Sequence, residues 1–209
     1  MTMPLHRRRI LHASAGVVLS SLGAPALARV LASSGAATPT PRFTEGPFYP
    51  PTFAAQPTTT LLVGTLVPQA VPMRVSGRVV DREGRPASGA RIEIWQCDAN
   101  RHYHHPGDRG TLDPGFAGYG WQPVAASGAY RFDTIRPVAY PGRTPHIHVR
   151  VKRDERAVLT SQIFLPDESA ANDRDFLWRQ LDAGSREFAL ATLERDGDAA
   201  VARFDIVLP

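Results

Sequence analysis

The 209-residue chain contains a single cysteine, Cys97. One thiol excludes an intrachain disulfide, a cysteine-based zinc finger and an iron–sulfur cluster held by this chain alone. A metal ion in this protein would therefore be held by His, Tyr, Asp or Glu side chains.

The sequence also lacks a strong excess of one charge sign, because it has 24 basic and 20 acidic residues and a formal net charge of +4. Arg7, Arg8 and Arg9 lie in a first segment, 1–28, that has no acidic residue, and without them the net charge is only +1. This balance makes nucleic acid a poor partner. With 43% apolar residues, 17 Gly and 19 Pro, the composition indicates a turn-rich globular protein and excludes a disordered chain.

Residues 1–28 have the form of an export signal. Arg7 and Arg8 precede Ile10 and Leu11, a short apolar stretch follows, and small residues end the segment at Ala26 to Ala28. Paired arginines in this position indicate the twin-arginine route, and an ordinary secretory signal is the alternative. The apolar stretch is too short for a membrane span. We expect an exported protein without a membrane span in its mature chain, and the sequence leaves open whether the leader is cleaved.

The remainder divides into an extended arm rich in Pro and Thr, 29–60, and one domain, 61–209. Within the arm, the aromatic segment 45–50 is expected to pack on the domain. Strand patterns recur at short intervals in the domain, which favours an all-β fold, an antiparallel sandwich with long loops and one short helix. The predicted strands lie at 75–79, 90–96, 146–152, 158–165 and 199–208, with another after Gly128 that contains Tyr130 and Phe132. The helix is predicted at 169–182, and the long irregular stretch 97–128 is expected to be functional.

All five histidines outside the leader fall in two clusters. His102, His104 and His105 form one cluster, and His146 and His148 form the other. In 146–152 the strand period places both imidazoles of the second cluster on one face, about 6.6 Å apart along the strand. Both could reach one metal ion, although two histidines on a solvated strand face would give the same pattern.

Two tyrosines lie near these clusters. Tyr140 begins a turn that leads to His146, and Tyr103 lies inside the other cluster. No acidic residue lies close to the histidine pair on its face, which disfavours the usual ferrous site with one carboxylate. Phenolate is a hard anionic ligand suited to a trivalent ion, so two Tyr and two His would suit Fe(III). Tyr103 could equally be an ordinary loop aromatic.

The combined motifs resemble the intradiol ring-cleavage dioxygenases, the non-haem ferric family of catechol and protocatechuate dioxygenases. The resemblance covers roughly 43–180 and rests on the segments 45–50, 77–81, 89–96, 140–148 and 159–164 with Tyr103. It implies a prealbumin-like β-sandwich as the catalytic domain and one Fe(III) per site. The implied iron ligands are Tyr103, Tyr140, His146 and His148. Arg143 matches an arginine beside the substrate, and Gln162 matches a glutamine that contacts the residues around the iron. Trp95 and Tyr49 are candidates for the substrate pocket.

The implied reaction joins both atoms of O2 to a catecholic substrate and opens the ring to a muconate-type dicarboxylic acid. On binding, the substrate displaces Tyr140. A protocatechuate-like substrate is favoured, while catechol, hydroxyquinol and substituted catechols stay possible. A ring carboxylate would need a cation, for which Arg101, Arg109 and Arg136 are candidates. Homo-oligomerisation is possible, and one of His102, His104 and His105 could replace or orient Tyr103.

Two other classes stay open on the sequence alone. The motif around Gly77 and Gly89 also resembles non-catalytic prealbumin-like and carboxypeptidase-regulatory-like binding modules. A zinc or copper protein that uses only histidines is the third possibility, and in it neither Tyr103 nor Tyr140 would be needed.

Overall fold

The computed structural model describes residues 36–52, 55–197 and 199–209. The predicted export signal and the first residues of the predicted arm lie outside these ranges. Among the described residues, no helix is long and apolar enough to cross a membrane.

The described residues form two β-sheets. One contains β1 (Pro72–Val80), β4 (Ala129–Ile135), β7 (Thr192–Asp196) and β8 (Ala199–Arg203) in the order β4-β1-β8-β7, with β9 (Ile206–Val207) paired to β1. The other has the order β3-β2-β5-β6, from β3 (Tyr119–Pro123), β2 (Arg91–Trp95), β5 (His146–Arg153) and β6 (Arg156–Phe164). Pairing is antiparallel except between β1 and its neighbours β8 and β9. The predicted β-sandwich is therefore confirmed.

The core lies between the sheets and follows from strand alternation. Ile147, Val149 and Val151 of β5 are fully buried in one cluster with Ile92 and Ile94 of β2. Since side chains alternate across a strand, the opposite face of β2 and β5 carries Glu93, Trp95, His146 and His148. The two histidines thus share a face, and the fold directs that face away from the aliphatic core.

The strand predictions differ from the structure in three places. The stretch 97–128 contains β3, whose Gly120 and Pro123 have weak strand propensity. A further strand, β7, was not predicted, and the predicted strand 199–208 is two strands, β8 and β9. The break lies at Phe204, whose carbonyl accepts a hydrogen bond from the Tyr130 hydroxyl at 2.6 Å.

The predicted helix at 169–182 is wrong in extent. Only one turn of α-helix forms there, α1 (Ser169–Asn172), followed by a 3-10 turn, Trp178–Gln180, and by the short α2 (Ala183–Arg186). The Asp175 side chain accepts hydrogen bonds from the backbone N–H groups of Leu177 and Trp178, so it caps a new turn and ends the helical pattern. Phe176 is 56% exposed.

The described part of the arm runs along the domain. The Phe43 N–H donates to the Thr160 carbonyl at 2.9 Å, and the Ser161 hydroxyl donates to the Pro41 carbonyl at 2.6 Å. Phe48 and Tyr49 pack against the cluster that contains Trp95 and Tyr103. The segment 45–50 therefore covers the face of the sheet that carries the histidines.

Replacing Gly77 with Ala is expected to destabilise the sandwich. A Cβ there would lie 2.1 Å from the Phe204 carbonyl oxygen and 2.7 Å from its carbon, and neither backbone atom can move without breaking β1 pairing. We expect a loss of about 2 to 3 kcal/mol, or roughly 5 to 10 °C in Tm by calorimetry. Gly64→Ala is the matched control, because its Cβ meets nothing closer than 3.5 Å. Equal Tm values for the two variants would contradict this packing.

Candidate metal centre and active site

Two histidines of β5 form the centre of the site. The Nε2 atoms of His146 and His148 lie 3.2 Å apart, and both side chains are almost completely buried. His146 Nδ1 lies 2.7 Å from the Thr144 carbonyl oxygen. A carbonyl can only accept, so His146 carries its proton on Nδ1 and presents a lone pair on Nε2.

His148 is held by stacking. Its ring lies parallel to the Trp95 indole at a centroid distance of 4.7 Å and an angle of 9°. Trp95 is the register partner of His148 across the β2–β5 pair, which fixes this contact. The His148 Nδ1 is buried and has no hydrogen-bond partner among the described residues.

Two phenols approach the histidines from loops. The Tyr103 hydroxyl lies 3.1 Å from His148 Nε2, and its ring stacks on Phe48 at 4.6 Å. Tyr140 opens the turn closed by its bridge to Arg143, in which Gly142 has a φ of 82°. The Tyr140 ring centroid lies 5.6 Å from those of Tyr103 and His146. The structure thus brings together all four side chains that the resemblance implies as iron ligands.

The protonation of these four groups is set mainly by burial. Burial, with the nearby Arg143 cation, lowers the pKa of His146 to about 3, and burial with His146 and Arg143 also lowers the pKa of His148. Both imidazoles are therefore neutral and can donate lone pairs. Burial raises the pKa of the Tyr103 and Tyr140 phenols, so they ionise only where a cation compensates.

The donor set fits Fe(III). Two nitrogen ligands about 2.1 Å from one ion lie roughly 3.0 to 3.4 Å apart when their angle is about 90° to 110°. The 3.2 Å between the Nε2 atoms of His146 and His148 agrees with such a centre, and the Tyr103 hydroxyl oxygen lies 3.1 Å from His148 Nε2. Among the described residues no three His, Cys, Asp or Glu side chains converge, so an all-histidine set at this centre would have only two ligands. The two phenols complete a set of four.

Arg143 lies beside the four donors, with its side chain 8% exposed. Its Nη2 donates to the Gln162 Oε1 at 2.5 Å, and its Nη1 donates to the Tyr140 hydroxyl at 3.4 Å. Its Nε donates to the Asp175 Oδ2 at 2.8 Å. Gln162 is the register partner of His148 across the β5–β6 pair, so the strands bring this glutamine to the site. Arg143 and Gln162 are thus brought together with the ligand candidates.

The histidines near Tyr103 surround it without joining His146 and His148. His102 Nδ1 lies 2.8 Å from Asp108 Oδ1, and His104 packs edge-on against Phe116. His105 Nδ1 accepts a hydrogen bond from the Gly107 N–H at 2.9 Å. Asp108 also accepts from the Tyr103 N–H at 2.8 Å. In this arrangement the first histidine cluster shapes the loop that presents Tyr103.

A pocket of about 320 Å³ opens over the two phenols. Its lining includes Phe48, Tyr103, Tyr140, Arg101 and Arg109. A larger groove of about 720 Å³ lies between the arm and β1, but none of the converging donors lines it. The chemistry of the lining therefore identifies the smaller pocket as the site.

The two predicted pocket residues lie behind the site. Trp95 contacts the back of His148 and is 1% exposed. The Tyr49 hydroxyl donates to the buried Glu93 Oε2 at 2.7 Å, and the Arg150 guanidinium lies 3.9 Å above its ring. Neither lines the pocket over the phenols.

Sequence reasoning missed three residues that shape the site: Asp175, Thr144 and Phe48. Asp175 stands in an acidic and basic run that is typical of a solvated surface, yet its side chain is fully buried. An aspartate two residues before Leu177 and three before Trp178 is a capping pattern, and that signal could have located it. Phe48 was contained in the aromatic segment 45–50, but no pattern indicated that it would stack on Tyr103.

Comparison with known proteins shows a family relationship. The family model Dioxygenase_C, described as dioxygenase, matches residues 44–209. The protocatechuate 3,4-dioxygenase beta chain of Burkholderia cepacia is 38% identical over 148 residues, which are 64% of this chain and 63% of that protein. Hydroxyquinol 1,2-dioxygenase of Corynebacterium glutamicum is 32% identical over 161 residues, 64% of this chain and 52% of the relative. The chain thus spans between half and two thirds of the length of these relatives.

Solved structures show the same relationship. The dioxygenase domain of a dioxygenase and carbohydrate-binding protein fusion from Streptomyces sp. SirexAA-E has a TM-score of 0.65 and 34% identity, and covers 82% of this chain and 98% of that domain. Catechol 1,2-dioxygenase from Acinetobacter sp. ADP1 has a TM-score of 0.61 over 88% of this chain and 66% of its own. At 24% identity this second likeness supports the fold alone. With a family model that spans most of the chain, the protein belongs to the intradiol ring-cleavage dioxygenase family.

Proposed function

We propose that the protein is a non-haem Fe(III) dioxygenase that cleaves a catechol between its two hydroxyl-bearing carbons. The reaction consumes one O2 and gives a muconate-type dicarboxylic acid. The observation that carries the proposal is the convergence of two phenols and two neutral imidazoles beside one buried guanidinium. A non-catalytic β-sandwich has no need of this combination.

Tyr103, Tyr140, His146 and His148 would hold the iron. When bound, Fe(III) would act as a Lewis acid that withdraws electron density from the catecholate and so prepares the ring for O2. The two phenolates compensate part of the charge of the ion, while the imidazoles contribute lone pairs. Thr144 orients His146, and Trp95 holds His148 by stacking.

The side chains around the donors then act on the substrate. The Tyr140 oxygen is the proposed acceptor for one catechol hydroxyl proton, because it lies at the pocket and beside the Arg143 Nη1. Arg143 places a fixed positive charge where negative charge develops on the ring. Trp95 excludes water from the back of His148, and Phe48 covers the Tyr103 ring at the pocket wall.

The proposed substrate carries a carboxylate, as in protocatechuate. Arg101 and Arg109 line the pocket over the phenols, and neither forms an ion pair within the described part of the chain. Arg136, the third candidate cation, is paired with Asp167 at 3.0 Å and with Glu168 at 2.8 Å. The two pocket arginines are therefore the cations available to an anionic ring substituent.

Replacing Arg101 and Arg109 together with Gln is expected to change substrate preference. Two exposed guanidiniums contribute about 1 kcal/mol each to binding an anion, so kcat/KM for protocatechuate should fall roughly tenfold or more. The value for catechol should stay within about twofold, since catechol has no charge for them to bind. Steady-state oxygen consumption with both substrates measures the ratio.

The control for charge is Arg153→Gln with Arg156→Gln, which removes two exposed arginines at the β5–β6 turn. That turn lies about 23 Å along β5 from His146. If the double variant at Arg101 and Arg109 has the same kcat/KM ratio for protocatechuate over catechol as this control, the carboxylate proposal is contradicted. The proposal of ring cleavage would not be affected by that result.

The visible absorption spectrum with iron analysis tests the function itself. Wild-type protein loaded with iron should show a broad tyrosinate-to-iron band that shifts to longer wavelength on anaerobic addition of catechol or protocatechuate. Admission of O2 should then give the ring-opened dicarboxylic acid by mass spectrometry, with both oxygen atoms from 18O2 incorporated.

Two results would count against the proposal. A protein that stays colourless after reconstitution with iron would support the binding-module alternative. A coloured protein that binds the diols but yields no ring-opened acid would leave a metal site without the proposed reaction.

The proposal includes export by the twin-arginine route and possible assembly into homo-oligomers. Support for export comes from Arg7 and Arg8 and the segment that follows them. Cell fractionation of the full chain tests it: Arg7→Lys with Arg8→Lys should retain the protein in the cytoplasm. Unchanged export would indicate the ordinary secretory route.

Light scattering of the purified protein measures the oligomeric state.

A further inference from the structure

We infer that Asp175 is a positioning residue that fixes the Arg143 guanidinium against the active site. The inference rests on the proposed function, because the role of Arg143 in ring cleavage is part of that proposal. It assigns a role to a buried carboxylate that contacts none of the four proposed iron ligands.

The Asp175 carboxylate is saturated by four hydrogen-bond donors. Its Oδ2 accepts from the Arg143 Nε at 2.8 Å and from the Thr144 N–H at 3.0 Å. Its Oδ1 accepts from the backbone N–H groups of Leu177 and Trp178 at 2.9 and 3.1 Å. The carboxylate is fully buried, and a carboxylate with every acceptor site occupied has one orientation available.

This orientation determines that of the guanidinium. Asp175 binds the Nε edge of Arg143, and Gln162 binds Nη2. A planar group held at two corners cannot rotate, so Nη1 is directed at the Tyr140 hydroxyl. A cation fixed in this way stabilises developing charge without reorganising during the reaction.

The backbone around Asp175 explains why the carboxylate is there. After α1 the backbone bonds run from residue i to i−3 as far as Asp175. The N–H groups of Leu177 and Trp178 donate to the Asp175 side chain instead, which caps the 3-10 turn Trp178–Gln180. The same break leaves Phe176 exposed, with its ring 5.4 Å from the Arg143 guanidinium carbon. The capped turn also packs the buried Trp178 against Phe164, so Asp175 supports core packing as well as Arg143, and the test has to separate the two roles.

A double-mutant cycle between Asp175 and Arg143 tests the inference. The variants are Asp175→Ser, Arg143→Gln and the two combined, and the measurement is kcat and KM for a catechol per bound iron. Serine keeps a capping oxygen for the turn at Leu177 and removes the charge that holds Arg143. In the wild-type background, Asp175→Ser should lower kcat roughly 10- to 100-fold with KM changed much less.

In the Arg143→Gln background the same change should cost no more than about threefold, because no guanidinium is left to position. Equal losses in the two backgrounds would overturn the inference and leave Asp175 a purely structural residue. If Asp175→Ser does not fold, as judged by circular dichroism and thermal unfolding, Asp175→Asn is used in the same cycle. Its amide occupies the same space but cannot accept on both sides.

Asp182→Ser is the matched control. Asp182 also caps a helix, with its side chain accepting from the Ser185 N–H at 2.9 Å, and it is exposed. This variant makes the same chemical change at a comparable cap, so its kcat per bound iron should equal that of the wild type. A loss as large as that of Asp175→Ser would show that an Asp-to-Ser change at a cap lowers activity by itself, which would overturn the inference.

One measurement separates failure of the inference from failure of the proposed function. Solvent exchange of the Arg143 Nε–H, measured by 15N NMR on the iron-free protein, requires no activity. Exchange should be slow in the wild type and in Asp182→Ser, and at least about tenfold faster in Asp175→Ser, because a side chain held in one hydrogen bond is protected. Unchanged exchange would contradict positioning by Asp175, whatever reaction the protein catalyses.

Discussion

Replacing Tyr103 with Phe is expected to abolish the tyrosinate-to-iron band from this residue and to lower turnover by roughly a thousandfold. The substitution removes only the hydroxyl, which lies 3.1 Å from His148 Nε2, and it retains the ring that stacks on Phe48. Loss of one buried hydrogen bond should change the free energy of unfolding by only about 1 kcal/mol. The iron content, the intensity of the visible band and the rate of oxygen consumption should therefore fall in a protein that remains folded.

Tyr130→Phe is the control for removal of a buried hydroxyl. The Tyr130 hydroxyl donates to the Phe204 carbonyl at 2.6 Å in the other sheet, and it has no part in the site. This variant should lose a similar amount of stability and keep its iron and its turnover. If Tyr103→Phe and Tyr140→Phe both left the metal content unchanged, the phenols would not be needed to hold the metal, and a histidine-only zinc or copper site would replace the proposal.

Strand periodicity predicted the part of the site that lies on β-structure. The alternation in 146–152 placed His146 and His148 on one face, and the structure places their Nε2 atoms 3.2 Å apart. Alternation in β2 likewise directs Trp95 to the face opposite Ile92 and Ile94, where it stacks on His148. Period two fixes which face a side chain occupies, because register with a buried neighbour leaves no other choice.

The loop residues could not be derived in this way. Tyr103 and Tyr140 were placed by the family resemblance, since spacing along a loop sets no direction for a side chain. The capping pattern at Asp175 is local, but its contacts with Arg143 and Thr144 could not be predicted, because both residues are distant in sequence. The predicted helix at 169–182 failed for the same reason: apolar spacing favoured continuation, while a side chain committed to tertiary contacts ended the pattern.

Replacing Arg143 with Gln is expected to lower kcat/KM for a catechol by roughly 10²- to 10³-fold, the usual loss for a fixed donor or charge at a reacting group. Iron content and the absorption band should stay unchanged, because Arg143 donates a hydrogen bond to Tyr140 but is not one of the four proposed iron ligands. Anaerobic titration with the diol measures binding separately from turnover. Arg74→Gln is the matched control, since that arginine is also largely buried and paired, with Asp133 at 3.1 Å, on the other sheet.

The acid stability of the same variant gives an independent check. Burial alone would raise the pKa of Asp175, but hydrogen bonds from Arg143 and from the Thr144 and Trp178 backbone outweigh it and lower that pKa. A carboxyl with a depressed pKa stabilises the fold above its unfolded-state pKa, and that contribution is lost as pH falls through the folded-state value. Without Arg143 the folded-state pKa of Asp175 rises, so the carboxylate contributes less stability at neutral pH and begins to lose it at a higher pH. Acid unfolding should therefore begin at higher pH than in the wild type. Identical acid unfolding curves, measured by circular dichroism, would contradict the Arg143–Asp175 contact itself, whereas a shifted curve with unchanged turnover would contradict only its part in catalysis.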